Sequence, residues 1–289
     1  MKLKVALVQI CSTEDVRRNC ARALEWIEAA AQRGARWVLF PENTCYIRGE
    51  NDPVSWSEPL DGPIVESFCR AAQRWGIYVL LGSMPEPIPG STKVYNTSLL
   101  IGPEGDILAA YRKLHLFDAV LPDGRVLSES RFVEKGDDLA LAHVDGVTVG
   151  LSICYDLRFP ELYRALTVAG AEVLTVPSAF TVPTGQAHWE ILLRSRAIEN
   201  QAFVLAPAQT GQHTSSRRSY GHSMIIDPWG RVIAAVGQEE TVVEAELEMD
   251  QVRQIRRRMP CLRHRRFDIV GPNEGHPDAA RGGERGGHV

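Results

Sequence analysis

Short apolar runs alternate with amphipathic stretches through both halves of this 289-residue chain, and that alternation constrains the fold more than any single residue does. Residues 5–10 read as a buried strand. A helix over 15–33 follows, with Ser12 or Thr13 as its cap and Gly34 as its stop. Strand 37–40 runs into Pro41-Glu42-Asn43, and helix 64–75 stops at Gly76 before strand 77–81. Segments 95–101 and 107–113 flank Gly-Pro-Glu-Gly-Asp and read as a hairpin. Residues 114–138 are loop-rich and too long for a mere connector, which marks them as a place for function. The second half repeats the theme. Strand 147–153, helix 161–169 and strand 173–176 lead through Pro177-Ser178 into a long polar loop, then helix 188–200 and strand 202–206. A second hairpin, 223–227 with 231–236, precedes strand 242–247 and a short helix near 251–257. The class is α/β, and strand–helix units with hairpins in both halves predict two mixed sheets packed face to face with helices outside.

Composition narrows the partners. Hydrophobic residues make up 44% and charged residues 24%, ordinary for a globular protein, and the net charge of −4 offers no surplus for nucleic acid. The clusters at Arg256–Arg258 and 263–266 read as an exposed helix face or an interface. No apolar run nears the roughly 20 residues of a membrane span. The N-terminus has no signal-peptide cleavage pattern and reads as the first strand. Six scattered cysteines without paired spacing suggest reduced thiols and a cytoplasmic address. No Cys-x-x-Cys or His-Glu-x-x-His spacing calls for a metal, and no phosphate-cradling glycine loop calls for a cofactor.

Three polar side chains stand at the ends of apolar strands: Glu42, Lys113 and Cys154. In layered α/β proteins the strand ends form the functional edge. Each alone has an ordinary reading, as a surface carboxylate, a solvated lysine or a small buried thiol. Together they are a chemical set. The carboxylate can act as general base, the thiol as nucleophile, and the lysine with backbone N–H groups as the oxyanion site. Cys154 follows a strand, and Pro160-Glu161 opens a helix beyond it, a junction whose dipole would favour the thiolate.

The segments Phe-Pro-Glu42-Asn, Tyr-Arg-Lys113-Leu-His-Leu-Phe-Asp and Ile-Cys154-Tyr-Asp-Leu-Arg-Phe-Pro-Glu resemble the three signature blocks of the nitrilase superfamily of carbon–nitrogen hydrolases, over about residues 3–270. The resemblance implies a four-layer α-β-β-α sandwich in residues 1–270, while the Gly-, Glu-, Arg- and His-rich composition from Gly271 reads as a tail that is disordered or docks on a partner subunit. It implies a catalytic triad of Glu42, Lys113 and Cys154, and a second glutamate after the lysine, which Leu-Ser-Glu129-Ser matches. Glu134 is the alternative to Glu129. Segments around Ser178, His188, Arg196, Gln209 and His222 are similar to the deaminated glutathione amidase branch, with omega-amidases as near relatives. This implies cleavage of a terminal carboxamide through a cysteine thioester, without metal or cofactor. Tyr155 stands where nitrilases carry tryptophan, which argues against a nitrile. The family's use of helices after the nucleophile implies a homodimer or higher homo-oligomer through 161–169 and 188–200.

Other residues form a wider candidate set. Arg158 can meet a substrate carboxylate bidentately or pair with Glu161 or Asp156. Tyr46 and Tyr155 can wall the pocket. Phe180, Thr181 and Thr184 sit in the long loop after Ser178 and are pocket candidates. Asp156 and His115 are expected to order the loops behind the reacting groups, and His188 and Trp189 to pack or cap their helix.

Overall fold

The computed structural model describes residues 1–121 and 123–267, so the expected tail from Gly271 lies outside the described residues. In chain order the first half holds β1 (Lys2–Gln9), α1 (Val16–Gln32), β2 (Trp37–Leu39), α2 (Pro63–Trp75), β3 (Tyr78–Pro87), β4 (Val94–Ile101) and β5 (Ile107–Arg112). The segment expected to be loop-rich contains three very short strands, β6 (Asp118–Val120), β7 (Val126–Ser128) and β8 (Val133–Glu134). Then come β9 (Leu141–Val144), β10 (Val147–Leu151), α3 (Pro160–Val168), β11 (Val173–Thr175), α4 (Val182–Asn200) and β12 (Phe203–Ala206). The chain continues with β13 (Thr210–Gln212), β14 (Arg218–Tyr220), β15 (Met224–Ile226), β16 (Val232–Ala235), β17 (Thr241–Glu248) and α5 (Asp250–Arg258).

Two mixed sheets result. The first has the order β17-β1-β2-β3-β4-β5, with β8 added beside β4, and the second runs β16-β15-β12-β11-β10-β9. Strand alternation builds the layers. Val5 and Leu7 enter the core shared with Val149, Leu151 and Val173 of the second sheet. Ala6 and Val8 point the other way, onto Ile27 of α1 and Phe68 of α2. On the far side of the second sheet, Gly150 leaves room for α3, since a Cβ there would lie 3.1 Å from the Leu166 side chain. The architecture is the α-β-β-α sandwich. No helix among the described residues is long and apolar enough to cross a membrane.

Two local readings need correction, and one hairpin adds to the expected elements. The cap of α1 is Asp15, whose side chain accepts from the Arg18 N–H, while Thr13 accepts from Asp15 itself. Strand β9 joins β10 through Asp145 and Gly146 at φ 48° and 75°, the positive values a two-residue hairpin requires. Finally, α4 begins at Val182 and not near His188, so Thr184 is in a helix and His188 lies inside it rather than capping it. Pro183 sits in the first turn, where its missing N–H costs nothing. Gly185 is small because Tyr220 crosses there, with a ring atom 2.3 Å from where a Cβ would stand.

Candidate active site

The first sheet delivers two of the strand-end groups. Parallel β2 ends at Leu39, and the Phe40 N–H still bonds the Leu80 carbonyl (2.9 Å) before Pro41 turns the chain inward. Glu42 follows, 3% exposed, and Asn43 at φ 59° carries the chain away. Lys113 is the residue after β5, and its N–H bonds the Asn96 carbonyl on β4 (2.9 Å). The second sheet delivers Cys154, past the end of β10 and held by its N–H on the Pro177 carbonyl (3.0 Å). Cys154 adopts φ 48°, a left-handed conformation that costs a non-glycine residue on the order of 1–3 kcal/mol and turns the thiol out of the strand line.

The polar groups meet. Lys113 Nζ donates to Glu42 Oε1 (2.9 Å) and to both oxygens of Glu129 (3.1 and 2.9 Å). Glu129 is fixed in turn by the Phe117 N–H (2.6 Å). Glu134 instead meets Lys93 at the surface (3.3 Å). Asn96 Nδ2 bridges the two carboxylates, at 3.0 Å from Glu42 and 3.4 Å from Glu129, and the Ala179 N–H takes the other Glu42 oxygen (3.0 Å). Behind them Asp156, fully buried, accepts from the Tyr111 hydroxyl (2.7 Å), the His115 N–H (3.1 Å) and the Ile153 N–H (2.8 Å). His115 Nδ1 lies 2.7 Å from the same carboxylate, and its ring stacks on Phe159 at 3.7 Å. Asp156 thus ties the segment after Lys113 to the turn around Cys154.

Electrostatics sets the resting protonation. Burial works against charge on Glu42, but the Lys113 ammonium and its hydrogen bond outweigh it and hold the carboxyl below its usual range. Burial also works against the Lys113 ammonium, and Glu129 and Glu42 together hold its pKa well above normal. Burial pushes the Cys154 thiol well up and the Glu42 charge pushes it further, against the pull of Lys113. The expectation that a helix dipole favours the thiolate therefore does not hold. Residues Cys154–Arg158 form only a short 3₁₀ turn and α3 starts at Pro160, out of dipole range. The site rests as neutral thiol, carboxylate and ammonium, a set in which the candidate base is charged and the candidate nucleophile still carries its proton.

These groups line one cleft that is open to solvent and has a cavity volume of about 100 Å³. Of the wider candidates, Tyr46 and Thr181 line it, whereas Tyr155, Arg158, Phe180 and Thr184 do not. Tyr155 backs Phe117, a wall residue, at 4.8 Å between ring centroids. Phe180 packs on the buried Trp189, and Thr184 hydrogen-bonds the Thr181 hydroxyl (2.8 Å). Arg158 meets His188 (3.3 Å) and the faces of Tyr155 and Phe180. Arg196 is buried and bonds the Leu157 carbonyl (2.7 Å), and Gln209 bonds the Glu42 carbonyl (3.0 Å), so both brace the site from behind. Residues that the sequence reading passed over also line the cleft: Asn96, Phe117, Arg48 and Arg217. The polar run Asn96-Thr-Ser inside an otherwise apolar strand was a usable signal for the first. The two arginines carried none, since only the fold brings them together.

Comparison with known proteins agrees with this geometry. Residues 4–257 match the carbon–nitrogen hydrolase family model. A deaminated glutathione amidase of Synechocystis is 43% identical over 265 residues, covering 91% of this chain and 97% of that protein. The omega-amidase NIT2 of Xenopus tropicalis is 38% identical over 273 residues, covering 94% and 98%. The crystal structure of Saccharomyces cerevisiae Nit3, a member of the nitrilase superfamily, superposes with a TM-score of 0.81 at 32% identity, covering 92% of this chain and 97% of that one.

Proposed function

The chain belongs to the carbon–nitrogen hydrolase family of the nitrilase superfamily and is an amidohydrolase, and we propose that its substrates are amides of a 2-oxo dicarboxylic acid, deaminated glutathione first and 2-oxoglutaramate second. The observation that carries the catalytic reading is the buried cluster of Glu42, Lys113 and Glu129 with Cys154 beside it at the floor of one cleft. As Cys154 Sγ attacks the amide carbon, Glu42 takes the thiol proton. Because the thiol is neutral at rest, proton removal and attack go together. The oxyanion forms against the Lys113 ammonium and the Tyr155 N–H, since the Cys154 and Asp156 N–H groups are taken by the Pro177 and Ile153 carbonyls. Glu42 then gives its proton to the departing nitrogen, the C–N bond breaks, and a thioester remains. Water, deprotonated by Glu42, hydrolyses the thioester and restores the thiol. Glu129 keeps the lysine charged and in place.

The two substrates differ only in what leaves. The expected terminal carboxamide is present only in 2-oxoglutaramate; deaminated glutathione has a secondary amide, so its leaving group is the cysteinylglycine amine. Ammonia is the product only from a primary amide such as 2-oxoglutaramate. Both leave the same 2-oxoglutaryl group on sulfur. The preference for the first follows relatives such as the Synechocystis enzyme. A panel of both amides, an N-carbamoyl amino acid and a nitrile tests the reading, with 2-oxoglutarate measured directly. Turnover of the carbamoyl compound or the nitrile, with neither 2-oxo amide consumed, would overturn it.

Two copies are proposed to pair through α3 and α4, where Val168, Ile191 and Ile198 are exposed beside Trp229. Sedimentation of a monomer at micromolar concentration would overturn that pairing. A reducing, cytoplasmic setting fits the six free cysteines.

A further inference from the structure

A substrate with a carboxylate remote from its scissile amide needs a fixed cation in the cleft. We propose that Arg48 and Arg217 together are that anchor and bind the terminal carboxylate of the acyl group. The anchor presupposes the amidase reading above and adds its recognition element.

Arg48 lies in the loop that leaves Glu42, and Arg217 lies in the turn between β13 and β14, yet both line the cleft that holds Glu42, Lys113 and Cys154. The Arg217 guanidinium donates to the Arg48 carbonyl (3.2 Å), which locks the two segments together. Neither side chain makes an ion pair with a carboxylate among the described residues. Arg48 is half-buried, lies over the Phe132 ring at 4.7 Å, and gives hydrogen bonds only to the carbonyl oxygens of Gly49 and Asp52. Of the nearby carboxylates, Glu129 is bonded to Lys113 and the Phe117 N–H and Glu50 to Arg125, while Asp52 acts on Arg48 and Glu42 on Arg217 through charge alone, beyond ion-pair distance. Burial first, and then the Arg217 charge, lowers the pKa of Arg48. Two like charges drawn partly out of water with no carboxylate in direct contact are unfavourable, and proteins otherwise pair such groups. A carboxylate arriving from solvent would supply the counter-ion and accept the planar N–H forks. Arg158, the sequence-based choice for this role, faces His188 outside the cleft lining.

The test uses the full chain and two amides of equal length, 2-oxoglutaramate and the neutral pentanamide. Binding of 2-oxoglutarate to Cys154→Ala protein is followed by calorimetry. Arg48→Gln and Arg217→Gln should each lower kcat/KM for 2-oxoglutaramate by about 10- to 100-fold, mainly through KM, and change pentanamide turnover by no more than about twofold. Introduced into Cys154→Ala protein, the same changes should weaken 2-oxoglutarate binding by a similar factor. Arg48→Lys and Arg217→Lys, which keep the charge and stem, should fall between. Equal losses on both amides would make the pair structural and overturn the anchor. So would unchanged acidic-substrate kinetics together with a charge-selective loss in Arg158→Gln. If the wild-type enzyme hydrolyses neither 2-oxoglutaramate nor deaminated glutathione, the substrate reading itself fails, an outcome separate from failure of the arginine variants; if it takes only the latter, the same comparison is run with deaminated glutathione as the acidic substrate.

Discussion

Replacing Asp156 by Asn changes almost nothing in shape and one thing in hydrogen bonding. The carboxylate accepts from the Tyr111 hydroxyl and the Ile153 N–H on one oxygen, while the other faces the N–H and Nδ1 of His115. An amide can accept on one side only. Turned one way, its NH₂ opposes the Ile153 N–H, directly before Cys154. Turned the other way, it opposes the His115 N–H, just beyond Lys113. The hydroxyl of Tyr111 and the imidazole of His115 can reverse roles, but a backbone N–H cannot. One buried donor is stranded in either case, at about 1–3 kcal/mol. In a chain of this size that is a fall in Tm of about 2–5 °C. The stranded donor also shifts either Cys154 or Lys113. A displacement near 1 Å costs on the order of 100-fold, so kcat should drop about 10- to 100-fold with KM little changed. Asp156→Ala, which opens every one of these bonds, should cost about 3–5 kcal/mol, as removal of one buried partner does. Differential scanning calorimetry and steady-state kinetics on 2-oxoglutaramate read both quantities. Wild-type melting and kcat in Asp156→Asn would refute the idea that this carboxylate sets the geometry of the two segments.

Cys154→Ala should fold normally and lose activity by about 10⁴-fold or more; intact-mass spectra of wild-type enzyme trapped with substrate should show an acyl adduct that the variant lacks, and appreciable turnover by the variant would exclude the thioester. Lys113→Met leaves Glu42 and Glu129 face to face without their shared cation, so it should destabilise by about 3–5 kcal/mol. That penalty should grow from pH 5 to pH 8, because the unfolded chain ionises both carboxylates freely and the folded one cannot; a pH-independent melting difference would count against the charge argument. His213 is buried between the Ser12 carbonyl and the Ser219 hydroxyl, each 2.8 Å away, and burial lowers its pKa to about 4. The unfolded chain takes up that proton near pH 6.5 and the folded one only near 4. Stability is therefore full above about 6.5 and falls by up to about 3 kcal/mol as the pH drops toward 4; His213→Gln should lose that part of the slope, and an unchanged acid limb would show that His213 does not control it.

The layered fold and the groups at Glu42, Lys113 and Cys154 were legible because each follows a run of apolar residues in a single short segment. Glu129 was legible through the resemblance and not through spacing. What stayed hidden depends on contacts between distant segments. Pro183 and Gly185 look like breakers, so the start of α4 reads as loop, and only the crossing of Tyr220 explains the glycine. The protonation of Cys154 is set by burial among groups from both sheets, which the local pattern of a strand followed by a proline-led helix cannot express. Arg48 and Arg217 meet through a turn whose position depends on the whole second half of the chain.

The pairing of β1 with β17 joins Lys2 to Glu248, almost the full length of the described chain apart. A ribosome adding about 5–20 residues per second leaves the β1 edge open for tens of seconds before β17 arrives. That edge carries Val5-Ala-Leu-Val8 with its N–H and C=O groups unpaired, a template for another chain. Folding dominated by such distant contacts is slow as well. A nascent or truncated molecule that ends before Thr241 thus keeps Glu42, Lys113, Glu129 and Cys154 and still presents a sticky border. Its failure should show first as aggregation during synthesis, with lost catalysis as the consequence.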